Sequence, residues 1–231
     1  MTAPVPPNEA ERLAALREYH VLDSEAEQAY DDITVLAAYI CDVPVAMISL
    51  VDESRQWFKS KLGVKRRETP RDVAFCAHAI LQSEPLIVRD ALKDGRFAKS
   101  ELVKRAPRIR FYAGFPLTTA EGLALGTLCA IDRKPRQLSP AQQTAMKGLA
   151  RQVMALLELR QVSSNLAHAL ENIKTLHGLL PICAWCKRIR DDAGYWRQIE
   201  AYMRAHSDVD FTHGICPECR LKVTARKTPP A

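Results

Sequence analysis

The sequence predicts an α+β protein: two helices, a run of short strands, one long helix and a small cysteine-rich module, in that order. Three observations carry this prediction. Apolar, β-branched runs alternate with polar turns between Val45 and Ile131. From Ser139 onward apolar residues recur at steps of three and four. Four of the seven cysteines stand as two Cys-x-x-Cys pairs near the C-terminal end. With 231 residues, 47% hydrophobic and 26% charged, the composition is that of a globular protein, with room for one medium domain and a small one.

After a proline-rich tip, Glu9 to Tyr19 reads as a short helix. Glu25 to Ile40 reads as a longer one, carrying Ala29, Ile33, Leu36 and Ile40 on one stripe. Pro44 closes the helical option, and Val45 to Val51 is a strand by its β-branched content. The polar turn Asp52 to Arg55 and the segment Gln56 to Ser60 complete a hairpin. Phe75 to Leu81 is expected to be helical, Leu86 to Arg89 a strand, and Ile109 to Leu117 and Leu123 to Ile131 two further strands. The last two are apolar at almost every position, which predicts burial on both faces.

A long helix then opens with Ser139 as cap and Pro140 at its first position. Met146, Leu149, Val153 and Leu156 can pack on the preceding sheet. Leu159, Val162, Leu166, Ala169, Ile173, Leu176 and Leu180 continue as a heptad-like seam with a one-residue slip in phase. An apolar stripe of that length is not held in water unpaired, which predicts a parallel homodimer. Beyond Pro181, Arg190 to Gly194 reads as a turn, Tyr195 to His206 as a helix with Trp196, Ile199 and Met203 on one side, and Phe211 to Ile215 as a short strand. The expected domains are 1–160 with the N-terminal helix included, 161–180 as a coiled-coil helix continuing from it and 181–231 as a small module with a flexible tail.

The net charge is +6, and the residues up to Arg160 and those beyond carry +3 each, so there is no strongly basic tail. The first residues show no basic and apolar export pattern, and the longest apolar run, Val43 to Val51, is far shorter than the roughly 20 residues of a membrane span. A cytosolic protein without a membrane segment is expected. An odd number of cysteines in such a chain argues against a disulfide framework.

Cys183-x-x-Cys186 and Cys216-x-x-Cys219 have ligand spacing: a two-residue gap lets both thiolates of a knuckle face one cation, and two knuckles close a tetrahedral zinc shell with no open position. Such a Zn²⁺ is structural. The second pair leads into Arg220, Leu221 and Lys222, which places it at a helix start, where the dipole favours thiolate. Four thiolates around Zn²⁺ contribute a net −2, lowering the charge to about +4, so nucleic acid is not an expected partner.

Within the strand-rich region, Ser49, Thr127 and Cys129 are modestly polar residues in strands that otherwise read as buried, with Thr127 and Cys129 on one face by alternation. Cys76 and His78 sit on the short helix, and Trp57, Phe75 and Tyr112 are aromatics of this region that could line a pocket. Arg110 begins an apolar strand, where a charge needs a partner. A basic group, Lys59, Lys61, Lys65, Arg66, Arg67 and Arg71 with Lys104, Arg105 and Arg108, favours an anionic ligand if the two loops that bear it meet.

ISLVD (48–52), RQWFKS (55–60), ETPR (68–71), FCAHAI (75–80), RFYAGFPL (110–117), LGTLCAID (125–132) and LELR (157–160) stand in this order. From about Asn8 to Arg160 the chain thereby resembles the GAF sensory domains of bacterial signalling proteins. The resemblance implies a central antiparallel sheet with helices on one face and a small-molecule pocket on the other. Ser49, Trp57, Cys76, His78, Arg110, Tyr112, Thr127 and Cys129 are the ligand-binding residues expected there. The C-terminal part resembles a small Cys-rich module that ends many bacterial receiver, PAS or GAF proteins. No kinase or cyclase signature and no glycine-rich phosphate loop occurs in the sequence. The expectation is a non-enzymatic sensor that binds a small ligand and relays it through a dimeric helix to a zinc-stabilised module contacting a signalling partner. The alternatives are a thiol-based methionine sulfoxide reductase using Cys76 and a zinc-dependent nucleic-acid-binding regulator.

Overall fold

In the computed structural model, residues 4–172, 180–191, 194–206, 210–212 and 214–225 are described. The chain divides into two units, Met1–Asn165 and Leu166–Ala231. The first is built on a six-stranded sheet of β1 (Val45–Val51), β2 (Arg55–Leu62), β3 (Glu68–Pro70), β4 (Leu86–Val88), β5 (Phe111–Thr118) and β6 (Ala124–Asp132). The order is β3-β2-β1-β6-β5-β4, and every neighbouring pair is antiparallel.

Strand alternation divides the unit into two cores. Ala46, Ile48 and Leu50 of β1, Phe111, Ala113 and Phe115 of β5, and Leu125, Leu128 and Ala130 of β6 face one way. They pack against α1 (Glu9–Glu18), α2 (Gln28–Cys41) and α5 (Pro140–Asn172). Met47 and Val51, Tyr112 and Cys129 face the other way, against the short helix α3 (Phe75–Ala79), Phe97 and Val103, the last in the single turn α4 (Glu101–Lys104).

The expected strands β1, β2, β4, β5 and β6 form where the β-branched runs lie, and β3 and α4 are additional. In α2 the buried face is Tyr30, Ile33, Thr34, Ala37, Ala38 and Cys41, whereas Leu36 is exposed and Ala29 lies outside the core. The expected stripe is therefore rotated by about one residue, because the large Tyr30 ring takes the buried position. A bulge between Ile48 and Ser49 in the β1–β2 register gives β2 an extra residue, Lys59. Its ammonium group is buried on the helical side, donating to Ser24 Oγ (2.8 Å), Glu25 O (2.7 Å) and Glu27 Oε1 (2.6 Å). Lys59 thus belongs to the helical core and leaves the basic group expected at a pocket mouth.

Ser139 and Gln142 close a reciprocal cap at the start of α5: Gln142 N donates to Ser139 Oγ (3.2 Å) and Ser139 N to Gln142 Oε1 (2.8 Å). Met146, Ala150, Val153, Met154 and Leu157 are buried, while Leu159, Val162 and Leu166 are exposed at 65%, 63% and 59%. Ile173 and Leu176 of the expected seam lie outside the described residues.

The second unit contains the two-stranded β7 (Ile189–Arg190) and β8 (Trp196–Arg197), then α6 (Ile199–His206) and α7 (Pro217–Ala225). Tyr202, buried against His206, occupies the inner side of α6, and Trp196 and Ile199 are exposed, opposite to the expected side. The strand expected at 211–215 is absent from the described residues there.

Candidate functional site

On the sheet face away from α1, α2 and α5 lies a cavity of about 410 Å³, floored by Met47, Gln56, Phe58 and Tyr112. Phase alternation puts them there: Met47 lies on the same face as Ser49, and the β1–β2 register sets Phe58 opposite Ser49 and Gln56 opposite Val51. Phe75 and Cys76 of α3 form one wall. The loops around 63–66 and 106–109 form the rim; the first contributes Lys65 and Arg66, but the second contributes Ala106, Pro107 and Ile109 and none of Lys104, Arg105 and Arg108, so the expected double basic rim is not formed. Most of the lining is apolar.

Cys76 is buried at 1% exposure, and its sulfur accepts hydrogen bonds from Gln56 Nε2 (3.2 Å) and the Tyr112 hydroxyl (3.2 Å). Behind it the hydroxyls of Ser49 and Thr127 bond each other at 3.2 Å across the β1–β6 pair, where Ser49 faces Thr127 and Met47 faces Cys129. Burial opposes a charge on Cys76, but hydrogen bonds from Cys129, Ser49, Thr127 and Tyr112 outweigh it and bring the thiol down to about 6. Burial, followed by the neighbouring Cys76, drives Cys129 well above the ordinary thiol range. Burial and Cys76 likewise raise Tyr112. Cys76 stands at the start of α3, a five-residue helix, so the side-chain donors account for its acidity.

Of the eight residues expected to bind ligand, Cys76 and Tyr112 line the cavity. Ser49, Thr127 and Cys129 form the polar layer directly behind Cys76. His78 turns its ring edge to Phe97, with centroids 4.9 Å apart, and does not line the cavity. Trp57 belongs to the helical core on the opposite face, because its register partner is Leu50. Arg110 is held by Asp90 through two bonds of 2.8 and 2.9 Å, outside the cavity. Its expected partner is therefore a carboxylate of the protein. Gln56 and Met47 were not anticipated; counting two residues outward from Ser49 finds Met47, but Gln56 depends on the register across the hairpin.

In the second unit each Cys-x-x-Cys pair forms a knuckle. Cys186 N donates to Cys183 Sγ at 3.5 Å and Cys219 N to Cys216 Sγ at 3.4 Å. These backbone donors lower both leading thiols below the usual range. Cys216 precedes α7 and Cys219 lies in its first turn, as expected. The two knuckles are not drawn together: among the described residues no three His, Cys, Asp or Glu side chains gather around a common point. The donor chemistry fits Zn²⁺, and convergence of two knuckles is what a bound ion itself imposes.

A six-stranded antiparallel sheet with helices over one face and a lined cavity on the other is the architecture of a sensory domain. The chain belongs to the GAF domain family, which matches residues 25–157. It is 44% identical over 155 residues to a cyclic di-GMP phosphodiesterase of Pseudomonas aeruginosa, a match that takes in 67% of this chain and 26% of that enzyme. The chain thus spans about a quarter of that relative. Among solved structures, a domain of a two-component sensor histidine kinase protein from Sinorhizobium meliloti superposes with a TM-score of 0.50 at 18% identity, over 62% of this chain and 97% of that one. The blue-light-absorbing PixJ GAF domain of Thermosynechococcus elongatus gives 0.50 at 14% identity, over 72% and 98%. These likenesses establish the fold. The relative named for phosphodiesterase activity overturns the expectation that the chain is non-enzymatic, which rested on missing sequence signatures. No helix among the described residues is long and apolar enough to cross a membrane.

Proposed function

We propose that this GAF signalling module senses a small, mainly apolar ligand in the cavity beside Cys76 and couples its occupancy to the turnover of cyclic di-GMP. The observation that carries the reading is the cavity itself: about 410 Å³ of space with apolar walls and a few convergent polar groups, on the face the helices leave open. The phosphodiesterase relative supplies the link to the dinucleotide. The exposed Leu159, Val162 and Leu166 support pairing of α5 in a homodimer, so that ligand occupancy biases the packing of two helices. The two knuckles support a Zn²⁺ held by Cys183, Cys186, Cys216 and Cys219, which stabilises a module that contacts a protein partner.

Native mass spectrometry of the chain as purified from its host tests ligand, metal and dimer together, with a retained small molecule expected. Cyclic di-GMP is then measured in cells with and without the gene, and its hydrolysis by the purified chain is followed directly. A pocket empty in every preparation, with cellular cyclic di-GMP unchanged by deletion, overturns the proposal.

A further inference from the structure

Three cysteines lie in the GAF unit, and their surroundings divide them. Cys41 is packed among apolar side chains of the helical core, and burial pushes its thiol up to about 11. Cys76 and Cys129 occupy the other core, both essentially inaccessible to bulk water, and the Tyr112 hydroxyl that bonds Cys76 Sγ at 3.2 Å lies over Gly114, whose register partner is Cys129. Cys76 lines the cavity and Cys129 stands behind it, on the strand position opposite Met47. Gln56 and Tyr112 donate to Cys76 Sγ, and the hydroxyls of Ser49 and Thr127, bonded to each other, also favour its thiolate. A sulfur that serves only as a small hydrophobe, as Cys41 does, needs none of them.

We propose that Cys76 and Cys129 are a reactive dithiol, oxidised to a disulfide by a small organic hydroperoxide that enters the cavity. The apolar walls, among them Val45, Phe58 and Ile109, favour an alkyl hydroperoxide over a charged oxidant. The Cys76 thiolate attacks the terminal oxygen; an S–O bond forms, the O–O bond breaks, and the departing alkoxide takes up the proton Cys76 has lost, leaving an alcohol. Cys129 then attacks the sulfenic sulfur. The S–S bond forms, the S–O bond breaks, and hydroxide leaves with the Cys129 proton as water. Two thiols lose two electrons and one hydroperoxide gains them; a dithiol reductant reverses the change by exchange. The opposed acidities suit the roles, a thiolate at Cys76 and a protonated thiol at Cys129. The inference rests on the pocket reading only for access to Cys76.

The test uses the full chain, treated with tert-butyl hydroperoxide, denatured in iodoacetamide and mapped by peptide mass spectrometry. The cross-linked peptide joining Cys76 and Cys129 is expected, forming about a hundredfold or more faster than any oxidation of Cys41. In Cys129→Ala, Cys76 is expected to persist as a sulfenic acid captured by dimedone; in Cys76→Ala neither product forms. Recovery of Cys76 and Cys129 as free thiols while the knuckle cysteines oxidise overturns the proposal, as does oxidation of Cys41 in step with Cys76. The wild-type map decides the matter even if a variant fails to fold. Ligand retention by native mass spectrometry is a separate readout, so an empty pocket with an intact Cys76–Cys129 reaction defeats the sensory reading alone.

Discussion

The hydroxyl of Tyr112, on β5, donates to Sγ of Cys76, on α3, at 3.2 Å, 36 residues away in sequence. The bond joins the sheet to the helix that walls the cavity and stabilises negative charge on the sulfur. Because Cys76 is brought down to about 6, its thiolate population should rise through pH 6 and be nearly complete by pH 8. Its iodoacetamide rate, read by peptide mapping, should follow that curve. Tyr112→Phe removes one charge-assisted donor, worth about 1.4 kcal/mol, and should move the midpoint upward by about one unit. A wild-type midpoint in the ordinary thiol range sinks the argument.

Glu9 carries two arginines. Arg12 reaches both its oxygens at 2.8 Å, and Arg71 bonds Oε1 at 2.5 Å. Burial raises the Glu9 carboxyl, but the two guanidinium groups override it and bring it to about 2, against 4.5 unperturbed. A depressed carboxyl stabilises the fold fully above its unfolded value, and that contribution is lost as pH falls from about 4.5 toward 2. Glu9→Gln should abolish this segment of the acid profile. It should also cost about 3 kcal/mol near neutrality, since Arg12 and Arg71 lose their carboxylate while buried. Urea midpoints between pH 2 and 7 measure both effects, and equal midpoints for variant and wild type at pH 7 would disprove it.

Gly126 and Gly148 should respond in opposite directions to alanine. A Cβ at Gly126 lies 2.0 Å from Ser49 O and 2.9 Å from Leu50 Cα, both backbone atoms of the central β1. Gly126→Ala should therefore destabilise by about 3 kcal/mol or more. In α5 a Cβ at Gly148 would meet, among the described residues and outside the helix's own backbone, the flexible end of Arg151 at 3.8 Å. Gly148→Ala should stabilise by about 0.5–1 kcal/mol through helix propensity. Paired thermal melts give the signs.

Zinc content should fall well below a single equivalent in Cys183→Ser, with amide protection lost in the second unit while the GAF unit keeps its melting temperature. The same holds for Cys186, Cys216 and Cys219. Unchanged protection in the second unit after complete chelation would show that the metal plays no structural part.

Replacing Leu159 and Val162 by aspartate should shift the chain toward monomer in sedimentation velocity at tens of micromolar. Both side chains are exposed, so the fold of the GAF unit should be unaffected. A wild-type chain that sediments as monomer at that concentration excludes pairing through α5.

Local signals in the sequence determined the element types, because β-branched runs and three-four periodicity act through near neighbours. Val45 to Val51 is a strand at both predicted ends, and Ser139 caps α5 through the reciprocal bond with Gln142. The ordered motifs from Ile48 to Arg160 identified the family on the same basis. Side assignments were less secure: Thr127 and Cys129 share a face as alternation requires, yet Trp57, expected to bind ligand, faces the helical core, and the unanticipated Gln56 lines the cavity. Which of them meets the cavity depends on pairing with β1 and on the bulge that admits Lys59. Tertiary structure alone chose Asp90 as the partner of Arg110 and set Cys76 in one buried cluster with Cys129, 53 residues further along the chain. Those pairings depend on how the strands align and where α3 crosses them, and no residue spacing encodes a contact made through the fold.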